Sequence, residues 1–434
     1  MSTSKKTMLI SEKEFLPILN TVAQDFFLHL NLVVAKSPNE WVKRHYSILS
    51  EKAHTLESLL DDYHARKNKT FSFLTELFAS IKWFGYSASL QKHLLIRFPQ
   101  YELDLSTRLS SEFIEESEKN LEWLHLSNIR LLEYVVKEAN KLELELPQGL
   151  PEEIPDHDPL ERKGLPHNID EEEIVDQKHI VAEVATRFKN LAEEFRKIRV
   201  NKDVDLDNII NQTLYDFDET KSRHYESLIH NIQSKYDTYI QKTKLESKHP
   251  ELAALRGYAS LALHLFQMAT VLVHFYERHE SDIRYEKTKK QISSIIPKED
   301  LLGVLHGYAR YYGIKFFLEG EKHADRIIEQ FIKIVTVSIT PREEFCMHAR
   351  PLSLIARVAI HYNTPLEIEI EGKSCNAGSI MQMILIAGDN PRPREILFRG
   401  EERALKDVKD LFALGFLDQI ACEEVPHHLQ YLFK

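Results

Sequence analysis

Cysteine is scarce: Cys346, Cys375 and Cys422 are the whole set in 434 residues. Their spacing fits neither a metal-ligand pattern nor a disulfide framework, which points to a reducing cytoplasm. A surplus of positive charge is missing as well. The formal charge is −11, and a general nucleic-acid binder needs a basic surface for the phosphate backbone, so no nucleic-acid partner is expected. Met1 to Ile10 carries two lysines but no apolar core or cleavage pattern, so no signal peptide is expected. Long uncharged runs are nearly absent too. Gly257 to Tyr276 has 20 residues without a charge, enough to cross a bilayer. Ser260, His264, Gln267, Thr270 and His274 fall on one face of that helix, the pattern of a helix packing on others. No second candidate accompanies it, so no membrane span is expected. His264 and His274 read as hydrogen-bonded histidines near a core and not as ligands.

What is abundant is helical periodicity. Leu16, Leu19, Val22, Phe26 and Leu30 mark one helix, with Pro38 after it. A second begins near Asn39 and carries Ala53, Leu56, Leu59 and Leu60. A third carries Phe71, Leu74, Phe78, Ile81 and Trp83, and a fourth runs from about Arg108 to Leu142. Four amphipathic helices with short connections predict an antiparallel bundle over 1–142. Residues 143–169, rich in proline and acid, read as a solvated linker. Helical pattern resumes near Asp170, where Glu171, Glu172 and Glu173 suit a helix start. A second bundle is expected over 170–329. Arg44-His45-Tyr46 recurs as Arg223-His224-Tyr225, offset by 179, and Ala79-Ser80 corresponds to Ala259-Ser260, so the two bundles are candidates for a repeat.

From Val335 the period changes. Val335, Val337 and Ile339 alternate with Thr336 and Ser338, a half-buried strand. Leu352, Ile355, Val358 and Tyr362 then recur at helical spacing. Between them, Cys346-Met347-His348-Ala349-Arg350-Pro351 puts a histidine and an arginine at a helix start, where Pro351 has no intrahelical bond to lose. Unpaired N–H groups and the helix dipole favour an anion there, and imidazole is nucleophilic near pH 7. Leu366, Ile368 and Ile370 alternate with Glu367, Glu369 and Glu371, and Gly372 turns the chain. Asn376-Ala377-Gly378-Ser379-Ile380-Met381 opens an apolar run to Ala387, stopped by Gly388. A strand from Glu395 to Phe398 and a helix from Glu401, with Leu405, Val408, Leu411 and Phe412 on one stripe, complete the order β-α-β-β-α-β-α.

This order and these residues resemble HPr, the histidine-containing phosphocarrier of the bacterial phosphoenolpyruvate-dependent sugar phosphotransferase system, over about residues 330–418. The resemblance implies an open-faced β-sandwich, a four-stranded antiparallel sheet backed by three helices. It implies His348 as phosphoryl acceptor and Arg350 as the group that stabilises phosphohistidine. It implies Ser379 as the serine that a regulatory kinase phosphorylates in some bacteria. An enzyme I-like donor and a downstream phosphoryl acceptor are the implied partners, with intramolecular docking on the helical region by analogy with enzyme I. The family usually has a glycine two residues before the histidine, where Cys346 stands here. A lysine often precedes the regulatory serine, where Gly378 stands here.

The expected fold is therefore N-terminal all-α tandem helical bundles followed by an HPr-like α+β domain. The expected function is a cytoplasmic phosphocarrier or phosphorylation-controlled regulator, not an enzyme, with no cofactor and no metal. One alternative is an HPr-fold protein-binding scaffold that is not phosphorylated. Another is a metal-dependent enzyme in the helical region, since Glu51-x-x-His54 has the spacing of di-iron bundles, although no second clean copy accompanies it. The tail over 419–434 is too apolar for a solvated terminus. Leu429, Leu432 and Phe433 are expected to bury, either on the helical region or in the core of the α+β domain.

Overall fold

A computed structural model describes residues 9–101, 103–152, 177–200, 202, 217–280, 285–388, 390–417 and 425–433. The protein is mostly helix with one small antiparallel sheet. It folds into two compact units, each assembled from three stretches of chain. The first comprises Met1–Ile169, Arg199–Ile229 and Ser260–Phe317, and the second Asp170–Ile198, His230–Ala259 and Leu318–Lys434.

The described helices of this part are, in chain order, α1 (Glu12–Val34), α2 (Lys43–Asp62), α3 (Ser72–Arg97), α4 (Thr107–Lys141), α5 (Gln177–Arg196), α6 (Glu219–Tyr239), α7 (Lys244–Lys248), α8 (Pro250–Glu280), α9 (Glu286–Ile295), α10 (Lys298–Leu302) and α11 (Tyr311–Phe331). A π-helical segment, Gly303–Arg310, joins the last two. Helix α1 starts with a capping box: Glu14 N–H donates to the Ser11 hydroxyl, and Ser11 N–H to the Glu14 carboxylate. Helix α2 begins at Lys43 and not near Asn39, because Pro38–Glu40 forms a separate 3-10 turn. That turn brings Trp41 into the core, where its indole N–H donates to the Val33 carbonyl at 3.0 Å.

In the first unit the core is aromatic. Phe26, Phe78, Phe84 and Phe113 are buried beside Trp41 and Tyr46. Several of its buried polar groups are paired: the Tyr46 hydroxyl bonds His125 Nδ1 at 2.9 Å, and the Tyr308 hydroxyl bonds both Gln91 and Ser117 at 2.7 Å. Most polar residues on that face of α8 are also paired, although the buried Ser260 hydroxyl has no partner among the described residues. Thr270 bonds Ser222, His264 bonds Gln267, and His274 bonds Glu219 at 2.8 Å. Helix α8 is the one described helix long and apolar enough to cross a membrane, and its apolar window is mostly buried.

Three stretches singled out in the sequence lie as follows. The stretch read as a solvated linker begins as a strap on α1, because amide side chains of that helix hold its backbone. Gln24 donates to the Glu145 carbonyl, and Asn31 donates to the carbonyls of Pro147 and Gly149 at 2.9 and 3.1 Å. Residues 153–176, including Asp170 and Glu171 to Glu173, lie outside the described residues. The two Arg-His-Tyr tripeptides occupy unlike places: Tyr46 is buried, whereas Tyr225 is half-buried and Arg223 pairs with Glu219 at the surface. Glu51 and His54 are both exposed and do not face a bundle interior.

In the second unit α11 crosses α5 and α8 closely. A Cβ on Gly320 would lie 2.7 Å from the Phe188 ring and 2.8 Å from Tyr258. The α+β segment follows as β1 (Ile334–Ile339), α12 (Ala349–Tyr362), β2 (Leu366–Ile370), β3 (Lys373–Asn376), α13 (Ile380–Gly388), β4 (Ile396–Glu401) and α14 (Glu402–Ala413). The sheet order is β1-β4-β2-β3, antiparallel throughout. Glu371 and Gly372 both have positive φ (50° and 77°), the conformation of a two-residue hairpin turn between Ile370 and Lys373. Leu366, Ile368, Ile396 and Phe398 send one face of the sheet into a core shared with Leu352, Ile355, Leu405 and Val408. The opposite face, with Glu367, Ser374 and Arg399, borders a cleft of about 640 Å3 whose other side is lined by Lys189 and Glu194 of α5 and Glu329 of α11.

The tail belongs to this same core. Val425, Leu429 and Leu432 are buried in the cluster that includes Leu352 and Val408. Of the two neighbours considered for the tail, the α+β core is the one observed for these three residues.

Candidate functional site

His348 is the N-cap of α12, in an extended backbone conformation that lets its side chain fold back over the helix start. Its Nδ1 accepts a hydrogen bond from the Arg350 backbone N–H at 3.4 Å. An accepting Nδ1 bears its lone pair, so the neutral ring carries its proton on Nε2. The nucleophilic nitrogen therefore points at the positive end of a helix. At 3.4 Å the bond is long and weak, so an incoming group displaces it at small cost. Pro351 has no N–H, which leaves the N–H groups of Ala349 and Arg350 as the anion donors of this first turn.

The site is open to partners. His348, Ala349 and Arg350 are exposed, while Met347 beneath them is buried. Met347 N–H donates to the Pro391 carbonyl at 2.8 Å, which ties the loop after α13 to the chain beside His348. Helix α13 packs against α12 and turns an apolar face outward. Met381 and Leu385 are 67% and 69% exposed, with Ile380 and Ile384 beside them. That is an unusual amount of solvated apolar surface for a nine-residue helix, and such patches mark protein contact sites.

Ser379 sits elsewhere. It caps α13, with its hydroxyl accepting from the Gln382 N–H at 3.4 Å, and it lines the 640 Å3 cleft, whose lining includes neither His348 nor Arg350. The structure thus joins His348 and Arg350 in one helical turn and leaves Ser379 at the start of another. Cys346 and Cys375 are half-buried free thiols, and burial pushes the Cys375 thiol pKa up. Cys422 lies outside the described residues.

Sequence reasoning missed a second cluster of chemistry-bearing groups. Asp407 and Asp410 of α14 meet His428 of the tail. The Tyr362 and Tyr431 hydroxyls donate to the same oxygen of Asp407, at 2.9 and 2.8 Å. Burial and the neighbouring carboxylate raise both phenol pKa values, so these hydroxyls stay protonated and donate. The spacing Asp407-x-x-Asp410 was the only available signal, because the third member returns from 18 residues further along the chain. No protein-family model, curated protein or solved structure matches this chain.

Proposed function

We propose that this protein is a phosphocarrier, or a regulator controlled by phosphorylation, of the HPr type. Nδ1 of His348 accepts a phosphoryl group from an enzyme I-like donor: the Nδ1–P bond forms as the donor's bond to phosphorus breaks and keeps its electron pair. The observation that carries this reading is the aim of that nitrogen, its lone pair directed at the N–H groups of the exposed N-terminus of α12. The phosphoryl oxygens then take up the N–H groups of Ala349 and Arg350, and the Arg350 guanidinium is the counter-charge. The strand order and the two sequence motifs support the resemblance. The solvated apolar face of α13 supports docking of protein partners, donor and downstream acceptor alike. Ser379 is the candidate regulatory acceptor, and its capping bond is what a phosphoryl group there would replace.

The test is direct. Phosphoenolpyruvate and enzyme I should label the protein with acid-labile, base-stable phosphate, and His348→Ala should abolish the label. Equal labelling of that variant removes the proposal. Binding of enzyme I without labelling favours a protein-binding scaffold instead.

A further inference from the structure

Asp407 is a carboxylate in the wrong place for an ordinary surface helix. Its side chain is only 3% exposed. Both of its hydrogen bonds, from Tyr362 and Tyr431, fall on Oδ2. Among the described residues none reaches Oδ1, which faces the Nε2 of His428 at 3.9 Å. The same Nε2 is 2.9 Å from Oδ2 of Asp410, one turn further along α14. Among the described residues, His428 is the only group that forms an ion pair with either aspartate.

We propose that Asp407, Asp410 and His428 form a binding site for one divalent transition-metal ion, zinc, which staples the C-terminal segment onto α14. The three ligand atoms lie within 4.8 Å of one another. Zinc holds nitrogen and carboxylate oxygen at about 2.0–2.2 Å in a tetrahedron, which sets neighbouring ligand atoms about 3.3–3.6 Å apart. The two separations from His428, 2.9 and 3.9 Å, straddle that value, and the two carboxylates lie within 4.8 Å of each other, so an ion draws the three donors together. Two carboxylates and a neutral imidazole balance the charge of the ion. The nitrogen donor favours zinc over calcium or magnesium, which take oxygen ligands.

The surroundings fit a built site. The two tyrosine hydroxyls hold Asp407 by its far oxygen and turn the near one toward the ion, the usual arrangement around metal-bound carboxylates. Asp410 and His428 are 36% and 46% exposed, which leaves a path for the ion and a fourth position for water. The staple also bears on the helix that carries His348. Tyr431 stacks on His361 of α12 with centroids 3.6 Å apart, and Arg357 of α12 donates to the Leu432 carbonyl. An ion at His428 therefore fixes the segment that braces α12.

The experiment uses the full chain, stripped with a chelator, dialysed, and titrated with zinc in competition with a chromophoric chelator. Asp410→Asn and His428→Gln alter solvent-facing groups and preserve size, and His427→Gln is the control next to the site. One zinc per chain is expected, with affinity lowered about tenfold or more in each of the first two variants and unchanged in the control. Cobalt in place of zinc should give visible absorption that the same two variants lose. A stripped protein that takes up no zinc overturns the proposal. So does zinc uptake equal in all variants, since it then occupies other histidines and the cluster is a plain ion pair.

Discussion

Leu429→Ala should loosen the α+β segment far more than its position five residues before Lys434 suggests. Leu429 is fully buried in the cluster that contains Leu352, Ile355 and Val408. Truncating such a side chain costs the transfer free energy of the lost carbons and leaves a cavity, together about 2–5 kcal/mol. Leu432, also buried in that cluster, should behave similarly, and the double variant should fall short of the sum because the two share neighbours. Tryptophan fluorescence cannot read this change, since Trp41, Trp83 and Trp123 all precede the segment. Amide hydrogen exchange can. At about 1.4 kcal/mol per decade, protection of the slowest amides in β1, β2 and β4 should fall between about 30-fold and several thousand-fold. Protection that changes by less than a few-fold would show that the tail is not part of this core, and the physical reading of the tail would fail with it.

Arg350→Ala should slow phosphoryl transfer to His348 while leaving the melting temperature nearly unchanged, because the residue is exposed and its backbone N–H remains; rapid-quench labelling measures the rate. Burial pulls the His29 pKa down to about 4 and that of His306 to about 3, so both stay neutral in the folded state while the unfolded chain protonates near 6.5. The unfolded state then binds more protons below about pH 6.5, and stability falls as pH drops from there toward 4, by about 3 kcal/mol for His29 alone. Denaturation followed by tryptophan fluorescence should show that slope, and His29→Gln should flatten it. Asn31→Ala removes the two bonds to the Pro147 and Gly149 carbonyls, about 0.5–1.5 kcal/mol each, and should speed limited proteolysis over residues 143–152.

The helices of the first 142 residues were legible because helical period survives any packing. Leu19, Phe26 and Leu30, read from spacing, are buried in α1. Helix α2 starts later than the expected Asn39 because Trp41 turns inward after a 3-10 turn, which local pattern does not register. What periodicity cannot say is what a buried face packs against. Helices α6 and α8 each contribute residues to both compact units, so runs of helical pattern such as 170–329 do not mark where the units divide. The linker shows the same limit in miniature. Its proline-rich composition suggested solvent, and in its described part the carbonyls of Glu145, Pro147 and Gly149 are taken by Gln24 and Asn31, polar residues whose direction the sequence leaves open.

The site divides along the same line. His348 and Arg350 were legible because their chemistry is local: a strand pattern, a helix start and a proline in the first turn place both residues within three positions. Ser379 was legible as a cap for the same reason. The Asp407 cluster was not, because it is made by a tail that folds back on the chain. Read alone, Asp407 is one more charge beside the stripe of Leu405 and Val408. Its burial depends on Tyr362, on Tyr431 and on His428, separated from it by 45, 24 and 21 positions. A buried carboxylate needs compensation from its surroundings, and here every compensating group lies on another element. Local motifs therefore reveal sites confined to one turn. Sites assembled by chain return become visible only through the burial of a charge that its own helix leaves without a partner.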